Sequence, residues 1–194
     1  MKKKLLSLLV AGLCVLAGCG GSGDGGADFI NSTKSYYIMI DGEKFYAGDE
    51  LANFSEVGYE IEEDARDLEI ESDTYMIGTI YMENEAGDRI FDINPFNHKS
   101  STVVLTDAFL GGIRLNAYDA EKDERTASFE VYGGIKLGST MDEVKAVFGE
   151  PSTTTESDTY TVYRYESDET YRRYIFTFNE EGKVKTIEWM NLVY

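Results

Sequence analysis

One stretch of the chain lies near the spacing of a phosphate-binding loop. In GGIKLGST (133–140), Gly133 and Gly138 stand where G-x-x-x-x-G-K-[ST] has its glycines, followed by Ser139 and Thr140. Ser139 occupies the position of the lysine that should reach the β/γ-phosphates. The preceding SFEVY (128–132) alternates like a half-exposed antiparallel strand, whereas a phosphate loop follows a buried parallel one. These glycines are therefore expected to serve the turn into a helix, and no nucleotide is expected as a partner. His98, the single histidine, sits in the polar NPFNHKSS (94–101) with no G-x-S-x-G elbow anywhere in the chain, which reads as a surface residue and not a catalytic base.

Acidic side chains are abundant enough to require a hearing for metal and acid–base chemistry. DAEKDERTASFE (119–130) has Asp119 and Asp123 but lacks the D-x-[DN]-x-[DN] spacing and the central glycine of an EF-hand. The run from Glu60 to Asp73 holds eight acids, which suits a solvated loop or frayed helix and at most a weak, nonspecific cation. A Glu/Asp pair could serve a glycosidase, but among 36 acids some such pair is inevitable, so spacing identifies none. Zinc is disfavoured by the shortage of His and Cys ligands. No catalytic residue, metal ligand or cofactor is expected.

The N-terminus reads MKKKLLSLLVAGLCVLAGCG. Lys2, Lys3 and Lys4 form a basic head, and Leu5 to Ala17 form an apolar run too short to span a bilayer. It closes on Leu16-Ala17-Gly18-Cys19, which resembles the lipobox of bacterial lipoproteins. That resemblance implies cleavage between Gly18 and Cys19, diacylglycerol on the Cys19 thiol, and a stable anchor once two or more acyl chains are present. Cys14 would leave with residues 1–18, so no disulfide is available to the mature chain. Removing residues 1–18 takes three lysines and no acid, leaving 15 basic residues against 36 acidic ones and a formal charge of −21. Such a chain repels nucleic acid and anionic headgroups, whose recognition needs Lys and Arg on phosphates.

These residues must be held by some framework. Residues 19–34, containing GGSGDGGAD (20–28), read as a flexible tether. YYIMIDGEKFYAG (36–48) reads as two strands about an Asp41-Gly42 turn. DELANFSEVG (49–58) places Leu51, Phe54 and Val57 on one helical face, with Asp49 as N-cap and Gly58 as stop. TYMIGTIYME (74–83), the turn NEAGD (84–88) and RIFDIN (89–94) read as a hairpin ended by Pro95. STVVLTDAFLGGIRLNAYDA (101–120) and TASFEVYGG (126–134) are further strand candidates about a charged turn, Glu121 to Arg125. Thr140-Met141-Asp142-Glu143 fits a capping box opening a helix over Met141 to Phe148, with Gly149 and Pro151 ending it. TYTVYRYE (159–166), YRRYIFTFN (171–179) and KVKTIEWMN (183–191) complete the strands.

Gly48 precedes Leu51, Phe54 and Val57 at the offsets by which Gly138 precedes Met141, Val144 and Val147, and IYMENEAGDRIFDI (80–93) echoes FTFNEEGKVKTIEW (176–189). The expected class is α+β, sheet-rich with a few short helices, with two related modules, 35–126 and 127–194, sharing one sheet. GGIKLGSTMDEVKAVFGEPS (133–152), followed by tyrosine-rich strands and FTFNEEGKVKTIEW, resembles the repeat unit of bacterial lipoproteins with a β-lactamase-inhibitor-protein-like fold, as in the SmpA/OmlA lipoproteins of outer-membrane assembly. The likeness is good over Gly133 to Asn191 and loose over Ile38 to Ile93, and is greatest to the tandem-module surface lipoproteins of Gram-positive bacteria. It implies short helices packed on one face of an antiparallel sheet, and protein–protein contact without catalysis. The inhibitor's target-binding residues do not carry over, so β-lactamase inhibition is not implied.

In YRRYIFTFN, Tyr174, Phe176 and Phe178 fall on one face with Ile187 and Trp189 of the next strand, forming the expected core. The other face carries Arg164, Tyr171, Arg173 and Ile175, types enriched in binding patches, and is the expected partner-binding surface. The expected protein is a lipid-anchored, non-enzymatic binder of another envelope or extracellular protein. It would sit on the outer face of the cell membrane, or on the periplasmic leaflet in a Gram-negative cell. An extracytoplasmic hydrolase using a carboxylate pair, or a lipoprotein binding a small ligand or cation, are the alternatives.

Overall fold

In the computed structural model the described residues are 28–76, 80–167 and 171–192. The expected signal peptide, Cys19 and residues 20–27 of the tether lie outside them. The tether expected to run to residue 34 gives way earlier: α1 (Asp28–Asn31) buries Phe29 to 5 % exposure, its ring 4.8 Å from Phe148. An aromatic and an isoleucine in DFIN had the apolar surface to join the core.

Strands β1 (Tyr37–Ile40) and β2 (Glu43–Tyr46) make the expected hairpin, with Asp41 and Gly42 at φ 51° and 87°. A 3-10 helix, Leu51–Val57, buries Leu51 and Phe54 and ends on Gly58 in the left-handed region. Asp49 is not its cap. The flanking residue is Glu50, which makes no side-chain cap, while Asp49 accepts the Tyr46 amide at 2.7 Å and so closes the turn before the helix.

The following acidic run is built into the fold and is not merely solvated. It contains β3 (Tyr59–Ile61), a short turn, and β4 (Glu69–Ile70), and it buries Ile61, Ala65, Ile70 and Glu62. Strand β5 (Thr74–Tyr75) precedes the hairpin of β6 (Ile80–Asn84) and β7 (Arg89–Asn97). Pro95 does not end β7. The register slips between Asn94 and Pro95, where Gly111 on the neighbouring strand is left unpaired, so a proline without an N–H is carried at a bulge. Strand β8 (Val103–Val104) pairs with β4, and β9 (Phe109–Asn116) runs into α2 (Ala117–Ala120). The strand expected at 126–134 is instead a 3-10 turn, Glu124–Ser128, with single antiparallel bridges from Glu130 to Met39 and from Val131 to Ile135. Thr126 holds the turn by donating its hydroxyl to Ala120 O.

Helix α3 (Met141–Phe148) has both halves of its capping box, and Gly149 closes it. Strands β10 (Thr153–Glu156), β11 (Thr161–Glu166), β12 (Arg172–Phe178) and β13 (Val184–Asn191) follow. The protein is α+β. Nine antiparallel strands form the main sheet, in the order β10-β11-β12-β13-β9-β7-β6-β3 with β5 beside β7. Strands from 35–126 and from 127–194 thus lie side by side at the β9–β13 pair. Beneath α3 the core is aromatic: Phe148 meets Tyr174 and Phe176 at 4.9 Å each and Tyr165 at 5.2 Å. At the 3-10 helix Leu51–Val57, Phe54 stacks on Phe45 at 4.3 Å and meets Phe91 at 5.7 Å. Tyr174, Phe176, Phe178, Ile187 and Trp189 are all buried, as their alternation requires. Among the described residues no helix is long and apolar enough to cross a membrane.

Candidate functional site on the outer sheet face

The glycines of the near phosphate loop are structural. Gly133 has φ 71°, and a Cβ there would overlap Val147 Cγ1 of α3. The amides a phosphate would need are already donating within the protein: Gly134 to Val131, Gly138 to Val184, Ser139 to Lys136, and Thr140 to the Glu143 carboxylate. His98 is exposed, its ring centroid 3.9 Å from that of Phe109. Among the described residues no group of three or more His, Cys, Asp or Glu is arranged to hold a metal ion.

The face of the sheet opposite α3 carries the chemistry. Strand pairing lines up one outward row across it: Arg164 opposite Ile175, Ile175 opposite Glu188, Glu188 opposite Arg114, Arg114 opposite Asp92, and Asp92 opposite Tyr81. Of the four residues expected on a binding face, Arg164, Arg173 and Ile175 lie there, half-buried, and Arg173 pairs with Glu188 at 2.8 Å. Tyr171 stands apart. It precedes β12 with φ 73°, a left-handed conformation uncommon outside glycine, and its ring lies 5.0 Å from Tyr75.

At the β7–β9 end of the row an open cleft of about 580 Å³ is lined by Tyr81, Asp92, Arg114, Tyr118, Asp119, Lys185 and their neighbours. Asp92 is only 6 % exposed, and its Oδ1 has no hydrogen-bond partner among the described residues. Its other oxygen lies 3.7 Å from Arg114, an ion pair too long for a hydrogen bond. Burial pushes the Asp92 carboxyl up to about 6, Arg114 opposing and the Asp119, Glu62 and Glu188 charges adding to the rise. Asp119 behaves oppositely. Burial alone would raise it, but hydrogen bonds from Lys122 at 2.8 Å and Asn116 at 2.6 Å hold it below the usual carboxylate range. Glu62 is occupied too, paired with Arg89 at 2.6 Å and accepting the Tyr81 amide.

Sequence reasoning missed Asp92 and Arg114. Asp92 alternates with Phe91 and Ile93 as any outward strand residue would, and only the register of β7 against β9 sets it beside Arg114 and beneath α2. Asp119 was visible, but as half of a calcium motif that does not form. No family model, curated protein or solved structure matches the chain.

Proposed function

We propose that the chain is an extracytoplasmic, lipid-anchored binding protein that engages its partner through the outer face of the sheet and performs no catalysis. The observation that carries this reading is the cross-strand row Arg164–Ile175–Glu188–Arg114–Asp92, which faces away from α3 and the aromatic core and ends in a cleft. The two arginines of that row are of a residue type enriched in protein-binding patches. The division into two related modules, 35–126 and 127–194, is part of the same proposal.

A photo-crosslinking residue at Ile175, on intact cells, should trap a discrete partner that is lost with Arg164→Glu, while the same residue at Lys136 should not. Adducts equal at both positions would remove the outer face as the binding surface. The anchor has its own test. Cys19→Ala should abolish lipid labelling and release the protein from membranes; retention with unchanged labelling overturns the lipid reading.

A hydrolase is the second reading, favoured by one observation: Asp92 and Asp119 line the same cleft with carboxyls driven in opposite directions, the pattern of an acid and its partner. Against it, Asp119 is held by Lys122 and Asn116 and is not free to attack or to accept a proton. Turnover of a peptide, glycan or ester substrate that disappears in Asp92→Asn would establish the hydrolase.

A further inference from the structure

We propose that the cleft beside Asp92 is a binding site for a small zwitterion, an amino acid or short peptide that gives its ammonium to Asp92 and its carboxylate to Arg114. The proposal rests on reading the chain as a non-catalytic binder and names the class of ligand for one end of its outer face.

Two opposite charges stand side by side here without completing each other. Asp92 Oδ1 is buried and accepts no hydrogen bond, and Arg114 makes no side-chain hydrogen bond among the described residues, only the 3.7 Å approach to Asp92. A carboxylate this short of donors is unfavourable away from water, and a ligand ammonium in the cleft that Asp92 lines would give it a charge-assisted partner. The Arg114 guanidinium, 53 % exposed, remains available to a carboxylate.

The rest of the lining selects for both charges in one ligand. A lone cation would meet Arg114 and Lys185 as well as Asp92; a lone anion would meet Asp92 and Glu121 in a strongly acidic chain. Asp119 lies in the same wall but is already satisfied. Tyr81 lines the cleft, and Tyr118, at 77 % exposure, offers an apolar rim for a side chain. The cleft's volume of about 580 Å³ falls in the range of small-ligand sites, roughly 300–1,000 Å³.

Proton competition follows from the same geometry. The groups around Asp92 are its strand neighbours Arg114 and Tyr81, Asp119 on α2, Glu62 after β3, and Glu188 and Lys185 on β13. An ammonium needs the Asp92 carboxylate charged, so affinity should fall as pH drops below about 6.

The test is isothermal titration calorimetry on the full chain in a non-ionic detergent. The probes are the common free L-amino acids, triglycine and trialanine, at about pH 7.5 and about pH 5, where Asp92 is mostly charged and mostly neutral respectively. At least one should bind saturably with a Kd below ~1 mM. Its affinity should fall about tenfold or more with Asp92→Asn, with Arg114→Gln, on N-acetylation and at the lower pH. The free amino acids and the tripeptides separate the two sources of the ligand. The proposal is overturned if none binds, if a binder is indifferent to both substitutions, or if the N-acetylated form binds as well as the parent. Photo-crosslinking at Ile175 that persists while every probe fails would sink the zwitterion site and leave the binding-protein reading standing.

Discussion

Replacing Asp92 by asparagine should stabilise the protein, and by an amount that depends on pH in a defined direction. Burial pushes the carboxyl up to about 6 in the folded chain from its ordinary value of 3.8, so the folded state holds this proton more tightly than the unfolded state does. Below about pH 4 the side chain is neutral in both states and imposes no penalty. As pH rises from about 4 to 6 the unfolded chain ionises first, and stability is lost throughout that window. Above it the loss is complete, amounting to ~3 kcal/mol at 1.36 kcal/mol per pH unit. Asparagine keeps the size of the side chain and cannot ionise. Urea unfolding of both proteins at about pH 4 and pH 7.5 gives the difference at each end. The variant's advantage should grow by ~2–3 kcal/mol between them, whatever its value at acid pH. A difference that stays flat, or shrinks as pH rises, would mean that Asp92 is not held in a desolvated, under-bonded state.

Phe176→Ala should cost about 3–5 kcal/mol, because the ring is fully buried against Phe148, Tyr165 and Tyr174; Tyr171→Ala, on an exposed residue, should cost under ~1 kcal/mol by the same denaturant melts. Equal losses would refute the assignment of sheet faces. Gly133→Ala should cost about 2–4 kcal/mol, combining a left-handed backbone position with overlap on Val147. Adding Val147→Ala should relieve the overlap but not the backbone strain, so a double variant only partly restored in thermal melts is the expected result.

The sequence carried the local features well. A capping box, an Asp-Gly turn and a Gly-x-Pro stop are written in adjacent residues, and Thr140 with Glu143 does what its spacing implies. The alternation of YRRYIFTFN likewise placed Phe176 and Arg173 on opposite faces. What escaped was decided by partners distant in the chain. Asp49 looked like a cap until the Tyr46 amide claimed it. Pro95 looked like a terminator because nothing nearby announces that an unpaired Gly111 across the sheet makes room for a bulge. The acidic run hid Ile61, Ala65 and Ile70 among charges, and each is buried by strands or turns that the run itself does not reveal. Asp92 belongs with these, since an outward carboxylate is ordinary until the next strand and α2 enclose it.

Strand β13 is the last strand described in sequence and an interior one in space, seated between β12 and β9. Some seventy residues, 117–183, therefore separate β9 from the neighbour that covers its edge. Without β13 the β10–β11–β12 strands and the β9–β7–β6–β3 strands would be two ribbons with raw edges, and such edges pair with other chains. Val184–Asn191 fills the gap between the two, pairing with β12 on one side and β9 on the other. A chain shortened by those few residues would expose the edge of β9 permanently.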